Sequence, residues 1–168
     1  SFPTRRSSDL STADCIPVLL YDRQRRIVAA VHAGWRGTVN RILAKTLHRM
    51  QSAYGTRGTD VIACIGPGIS LDSFEVGDEV YEAFRTKNFP MEYISVWKPE
   101  THKYHIDLWA ANRLQLSDFG VPPRQIENAG ICTYRQHEDF FSARRLGIKS
   151  GRILSGIMLN RQEKEERK

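Results

Sequence analysis

The sequence predicts a mixed α/β (α+β) fold, in which mixed β-sheets are layered with flanking helices as a sandwich. Three observations carry this. Short β-rich runs recur along the chain, amphipathic stretches of helical period lie between them, and the first two β-rich runs sit close enough to pair as a hairpin. Nothing repeats internally and no linker divides the chain, so residues 11–160 read as one domain.

Taken in order, residues 1–10 have no periodicity and join abruptly to the patterned chain after them, so they are expected to be a non-native or disordered leader. The runs 16–21 and 27–33 flank Asp22-Arg23-Gln24-Arg25, a hairpin loop. Thr38 is expected to cap a helix with Val39, Ile42, Leu43, Leu47, Met50 and Tyr54 on one face, stopped by Gly55. Residues 61–65 read as a buried strand ending at Gly66-Pro67-Gly68. A short helix follows Gly77 with Val80, Tyr81 and Phe84 inward, and residues 93–97 read as a strand ended by Pro99. Asp107 caps a helix to about Phe119, broken by Gly120 and Pro122-Pro123. Residues 126–132 and 153–159 are the last strands, and 161–168 is a charged tail of mixed sign.

The totals narrow the function classes. With 168 residues, 40% hydrophobic and 26% charged, the chain can bury a real core. No apolar run approaches the roughly 20 residues of a membrane-spanning helix. No signal-peptide pattern opens the sequence, since Arg5 and Arg6 are followed by Ser7, Ser8 and Asp9. A cytoplasmic protein without a membrane partner is the expectation. The net charge of +6 is scattered rather than striped, so an anionic small molecule is expected as partner and nucleic acid is not. Cys15, Cys64 and Cys132 lie far apart without CxxC spacing, which argues for a reducing compartment rather than a disulfide framework. Oligomeric state leaves no signal.

The hairpin carries the chemistry. With residues 22–25 as its loop, Tyr21 faces Arg26, Leu19 faces Val28, Pro17 faces Ala30 and Cys15 faces His32. Directly opposed residues share a face of the sheet with Cβ atoms about 4.5–5.5 Å apart. Three readings of that pair stay open: a buried Cys beside a hydrogen-bonded His, a thiolate–imidazole nucleophile, or two ligands of a metal that needs more. Asp14 precedes the Cys, while Ala33-Gly34-Trp35-Arg36-Gly37 comes after the His. Two glycines around a Trp and an Arg let backbone approach a ligand closely and set a guanidinium at a helix start.

Thr12-Ala13-Asp14-Cys15-Ile16-Pro17 followed by His32-Ala33-Gly34-Trp35-Arg36-Gly37 resembles the paired signature of the laccase-domain (multicopper polyphenol oxidase-like) family. The match continues through Gly66-Pro67-Gly68-Ile69, Phe74-Glu75-Val76-Gly77, His105-Ile106-Asp107-Leu108 and Cys132-Thr133. It ends with Phe140-Phe141-Ser142-Ala143-Arg144-Arg145 and Gly151-Arg152. The resemblance implies a laccase-domain-like α/β sandwich with a zinc held by one Cys and two His. It also implies purine nucleoside phosphorylase, methylthioadenosine phosphorylase or adenosine deaminase activity. Substrates would then be adenosine, inosine and methylthioadenosine, with phosphate as co-substrate. It assigns Cys15 and His32 as metal ligands, with copper as the alternative metal. The remaining His ligand falls upstream of the Thr-Ala-Asp-Cys motif, so a truncated member with weakened zinc binding is the expectation.

Arg36 is a candidate phosphate ligand, against a surface role. Arg144 and Arg145 are a second candidate anion clamp, against an ion pair tying down the last strand. Glu75 is a candidate general base or orienter of a ligand, against helix capping. Cys64 reads as core. His105, beside the capping Asp107, reads as structural and is the reserve third ligand. Four rivals differ in chemistry: phosphorolysis or deamination at zinc, phenol oxidation at copper, a metal-free Cys15–His32 hydrolase, and an inactive fragment. Five histidines in the whole chain are few for a blue-copper site plus a trinuclear cluster.

Overall fold

A computed structural model describes residues 7–147 and 149–160. The chain begins with β1 (Ser7–Thr12), β2 (Ile16–Asp22) and β3 (Ile27–Ala33), then α1 (Trp35–Val39) and α2 (Ile42–Tyr54). There follow β4 (Val61–Ile65), β5 (Glu75–Val76), α3 (Asp78–Thr86), α4 (Met91–Ile94), β6 (Ser95–Lys98) and β7 (Lys103–Ile106). The last elements are α5 (Leu108–Asp118), β8 (Ile126–Asn128), α6 (Ala143–Leu146) and β9 (Ile153–Met158). This is the expected mixture of sheets and helices.

The central sheet has the order β3-β2-β4-β8, antiparallel except for the parallel β4–β8 pair. Its strands alternate because one face is buried. Ile16, Val18 and Leu20 of β2, Val31 and Ala33 of β3, and Val61, Ala63 and Ile65 of β4 belong to the core. Leu43, Leu47 and Met50 of α2 and Leu108, Ala111 and Leu116 of α5 complete the core over that face. Each Val, Leu, Ile or Met among them, fully buried, contributes about 1.5–3 kcal/mol. A two-stranded ribbon, β1-β9, packs beside β3, and a three-stranded sheet, β5-β7-β6, packs with α3 and α4.

Several expectations need correction. The hairpin loop is Arg23–Arg26 rather than residues 22–25, because Asp22 closes the ladder opposite Ile27. The Asp22 side chain, fully buried, turns the chain by accepting from the N–H groups of Gln24 and Arg25, each at 2.9 Å. Thr38 is no N-cap. It lies buried inside α1, which Gly34 caps, and the helix breaks at Arg41, whose φ is 56°. The Thr38 hydroxyl donates to the Ala33 carbonyl and accepts from Asn112. Gln115 of α5 donates to the Thr38 carbonyl and accepts from the Ala44 N–H, so a buried polar knot holds the α1–α2 elbow. Ile42 and Tyr54 consequently turn outward.

Tyr93 sits exposed in α4, and the strand expected over 93–97 is instead β6, starting at Ser95. The strand expected over 126–132 stops at Asn128, with Cys132 bridging Gly68 alone. The leader boundary moves as well. Ser7–Thr12 pairs antiparallel with Ile153–Met158, so residues 7–10 are part of the fold. Residues 1–6 and the charged tail lie outside the described residues. Asp107 caps α5 as expected, accepting from the Ala110 N–H at 2.9 Å, and Gly55 ends α2 at φ 71°. Among the described residues no helix is long and apolar enough to cross a membrane.

Candidate functional site

Because the hairpin loop lies one residue further along, Pro17 rather than Cys15 stands opposite His32, and the pairing shifts by two residues. A shift of two preserves the face, since strand side chains alternate with period two. Cys15 and His32 therefore remain neighbours, now diagonally across the end of the hairpin. Gly34 marks where they meet. A Cβ placed on it would lie 2.8 Å from Cys15 Sγ and 3.9 Å from His32 Nε2. His32 is exposed and Cys15 half-buried, so an imidazole and a thiol line an accessible rim.

Burial pushes the Cys15 thiol up from its ordinary value, and the neighbouring Asp14 carboxylate pushes it further, against the opposing charge of Arg152. An unassisted nucleophilic cysteine needs the opposite shift. A cation bound to the sulfur reverses this balance, because coordination deprotonates a thiol outright.

Asp14 connects this rim to distant motifs. It is almost wholly buried, and its backbone is left-handed at φ 75°. One carboxylate oxygen accepts from the Thr133 hydroxyl at 2.7 Å and the other from the Arg144 N–H at 2.7 Å. Arg144 then reaches the Glu75 carbonyl through Nη1 at 2.8 Å, its guanidinium 5.4 Å from the Phe74 ring. Glu75 pairs with His105 across β5 and β7, and its carboxylate lies 3.8 Å from His105 Nε2. Cys15, Arg144 and Glu75 are thus linked through a continuous set of contacts.

The other candidates behave differently. Arg36 is exposed, two residues beyond Gly34, with its guanidinium 4.3 Å from the Trp35 ring. Arg145 leans over Tyr134 at 5.2 Å, and its N–H is taken by Ser142 Oγ. Among the described residues neither arginine forms an ion pair: Arg144 reaches a carbonyl, and both guanidinium groups rest on aromatic rings. Gly77, not Glu75, caps the following helix. His105 is buried, and its Nδ1 is 2.9 Å from the Leu71 carbonyl, a structural attachment. Cys64 is half-buried on β4, its thiol raised by burial and by Glu127. Burial also acts to raise the Cys132 thiol, but hydrogen bonds with Ser70 and Ser73 outweigh it and hold it below the ordinary value.

Asp14, Thr133 and Arg152 carry no signal in the sequence that singles them out. All three stand inside family motifs, but the contact between Asp14 and Thr133 spans 119 residues, and no local pattern announces it.

Residues 8–160 match the family model described as multi-copper polyphenol oxidoreductase laccase. The chain is 64% identical over 152 residues to a purine nucleoside phosphorylase of Bacteroides thetaiotaomicron, covering 90% of this chain and 56% of that one. It is 50% identical over 148 residues to adenosine deaminase RL5 of an unknown prokaryotic organism, covering 88% and 56%. Among solved structures it resembles the hypothetical protein YfiH of Bacillus licheniformis with a TM-score of 0.84 at 34% identity, covering 92% of this chain and 58% of that one. The chain therefore spans little more than half the length of these relatives. With the family's motifs in order along the chain and assembled around Cys15, this protein belongs to the multi-copper polyphenol oxidoreductase laccase family.

Proposed function

We propose that this chain carries part of the active site of a zinc-dependent purine nucleoside enzyme acting on adenosine, inosine and methylthioadenosine, by phosphorolysis or, for adenosine, deamination. The observation that supports it is the approach of Cys15 and His32 to one point at Gly34, in a chain 64% identical to a purine nucleoside phosphorylase. Sulfur and imidazole nitrogen suit zinc. Among the described residues no group of three or more His, Cys, Asp or Glu could hold a metal ion. The two donors fit as a pair, and this reading takes the third ligand from outside the described residues.

When bound, zinc supplies Lewis acidity at the rim. Cys15 and His32 hold it there. Arg144, fixed at its main chain by Asp14, offers a cation for phosphate, and Arg36 beyond Gly34 offers a second. Arg145 would serve the anion only by leaving Tyr134. Glu75, half-exposed beside His105, is the group suited to accept or return a proton. The raised Cys15 thiol disfavours the metal-free hydrolase.

The test is zinc titration of the purified chain, with adenosine and inosine turnover followed with and without phosphate. Zinc uptake lost in Cys15→Ser and His32→Ala, with any sugar phosphate formed only when phosphate is present, is the expected result. Uptake and turnover unchanged in both variants would overturn the proposal. Ammonia release from adenosine without phosphate would assign deamination.

A further inference from the structure

We infer that Asp14 is a positioning residue of this site, whose buried carboxylate holds the Cys15 side and the Arg144 side in one fixed geometry. The inference rests on the reading of Cys15 as a metal ligand. A non-glycine residue at φ 75° is uncommon, and Asp and Asn are among the few side chains that tolerate it. Here the conformation is fixed from three directions. Thr133 and Arg144 each donate to the carboxylate at 2.7 Å, and the Ile69 N–H donates to the Asp14 carbonyl at 2.9 Å. Those partners come from three separate parts of the chain. Gly68 is shaped to the same purpose, since a Cβ there would stand 2.9 Å from the Asp14 carbonyl.

The left-handed residue turns the backbone immediately before Cys15, and so sets the direction in which Sγ leaves the strand toward Gly34. The same carboxylate fixes the main chain of Arg144, so a loss of either bond would loosen thiol and guanidinium together. The role is one of geometry. The charge of Asp14 opposes ionisation of the Cys15 thiol, so activation of a free sulfur is not what it provides.

Cobalt(II) as the probe metal tests this, because its thiolate charge-transfer band reports Cys15 directly. Asp14→Asn keeps the size and the tolerance of positive φ, but presents an NH2 group where one acceptor stood. Thr133→Val removes the other bond without touching any charge. Gln125→Ala is the control, since Gln125 is buried and bonded to the Thr59 and Val61 carbonyls. Both Asp14→Asn and Thr133→Val should weaken cobalt binding at least about 10-fold, the usual effect of removing a group that orients a ligand. Gln125→Ala should lower the melting temperature and leave the band and affinity of the folded protein as they were. Should Asp14→Asn fail to fold, Thr133→Val carries the test. A band and affinity unchanged in Asp14→Asn or, if it does not fold, in Thr133→Val would overturn this inference alone, as would an equal loss in Gln125→Ala. A wild-type chain with no band, or a band that survives Cys15→Ser, would overturn the site reading and this inference together.

Discussion

Replacing Gly34 by Ala should separate metal binding from folding. The new methyl would lie 2.8 Å from Cys15 Sγ. Ordinary contact between such atoms needs about 3.5–4.0 Å, so the sulfur must retreat by roughly 1 Å. Metal–ligand distances tolerate only about ±0.2 Å, so that displacement is several times what a coordinated sulfur can absorb. His32 Nε2, at 3.9 Å from the methyl, need not move. The backbone accepts alanine readily, because Gly34 has φ −67° and ψ 169°, an extended conformation open to any residue. Overpacking costs about 1–3 kcal/mol, and the reduced freedom of the unfolded chain returns about 0.4–1 kcal/mol. The net loss is therefore at most about 2–3 kcal/mol, and less where Cys15 rotates toward solvent. Zinc affinity, measured by competition with a chromogenic chelator, should fall at least about 10–100-fold. A far-UV circular dichroism melt should show the same cooperative transition a few degrees lower. Zinc affinity within about twofold of wild type in a folded Gly34→Ala chain would refute the reasoning, since the expected loss is larger by an order of magnitude.

Gly58→Ala should be the more damaging exchange for stability, because its Cβ would collide with the backbone of Gly120, which cannot rotate away. A loss near or above about 3 kcal/mol in urea unfolding is expected, and a loss under about 1 kcal/mol would contradict it. Asp60 is buried beneath Arg57, whose hydrogen bond holds its carboxyl below the ordinary value, helped by Arg25 and Arg23. A lowered pKa contributes stability above the unfolded value of about 3.9 and loses it as pH falls through the folded one. Urea midpoints should therefore drop below about pH 4, and Asp60→Asn should flatten that limb while lowering the midpoint at neutral pH. In metal-free protein, Cys15 should alkylate at pH 8 more slowly than an unperturbed small thiol, as burial and Asp14 raise its pKa. Faster alkylation, followed by peptide mass spectrometry, would favour the nucleophilic reading.

The site was legible in the sequence to the extent that its determinants are local. Period two placed Cys15 and His32 on one face, and survived a loop displaced by one residue because the pairing then moved by two. The cap at Asp107 and the stop at Gly55 were equally readable, since each depends on residues within a turn. The helix break at Arg41 was not, because a buried knot among Thr38, Asn112 and Gln115 imposes it from α5.

What the sequence alone determined was that a thiol and an imidazole, Cys15 and His32, share one face of the hairpin, together with the motifs that mark the family. Only the tertiary structure decided that residues 7–10 pair with β9 and that Asp14 gathers Thr133 and Arg144 behind Cys15. It also decided that Arg144 and Arg145, adjacent in sequence, rest on different partners. The reason is the range of the forces. Strand alternation and capping arise from backbone geometry over a few residues, whereas a buried carboxylate takes whichever donors the packed core brings within reach. Those donors lie 119 and 130 residues away along the chain, and their approach is fixed only once the sheets and helices have closed over one another.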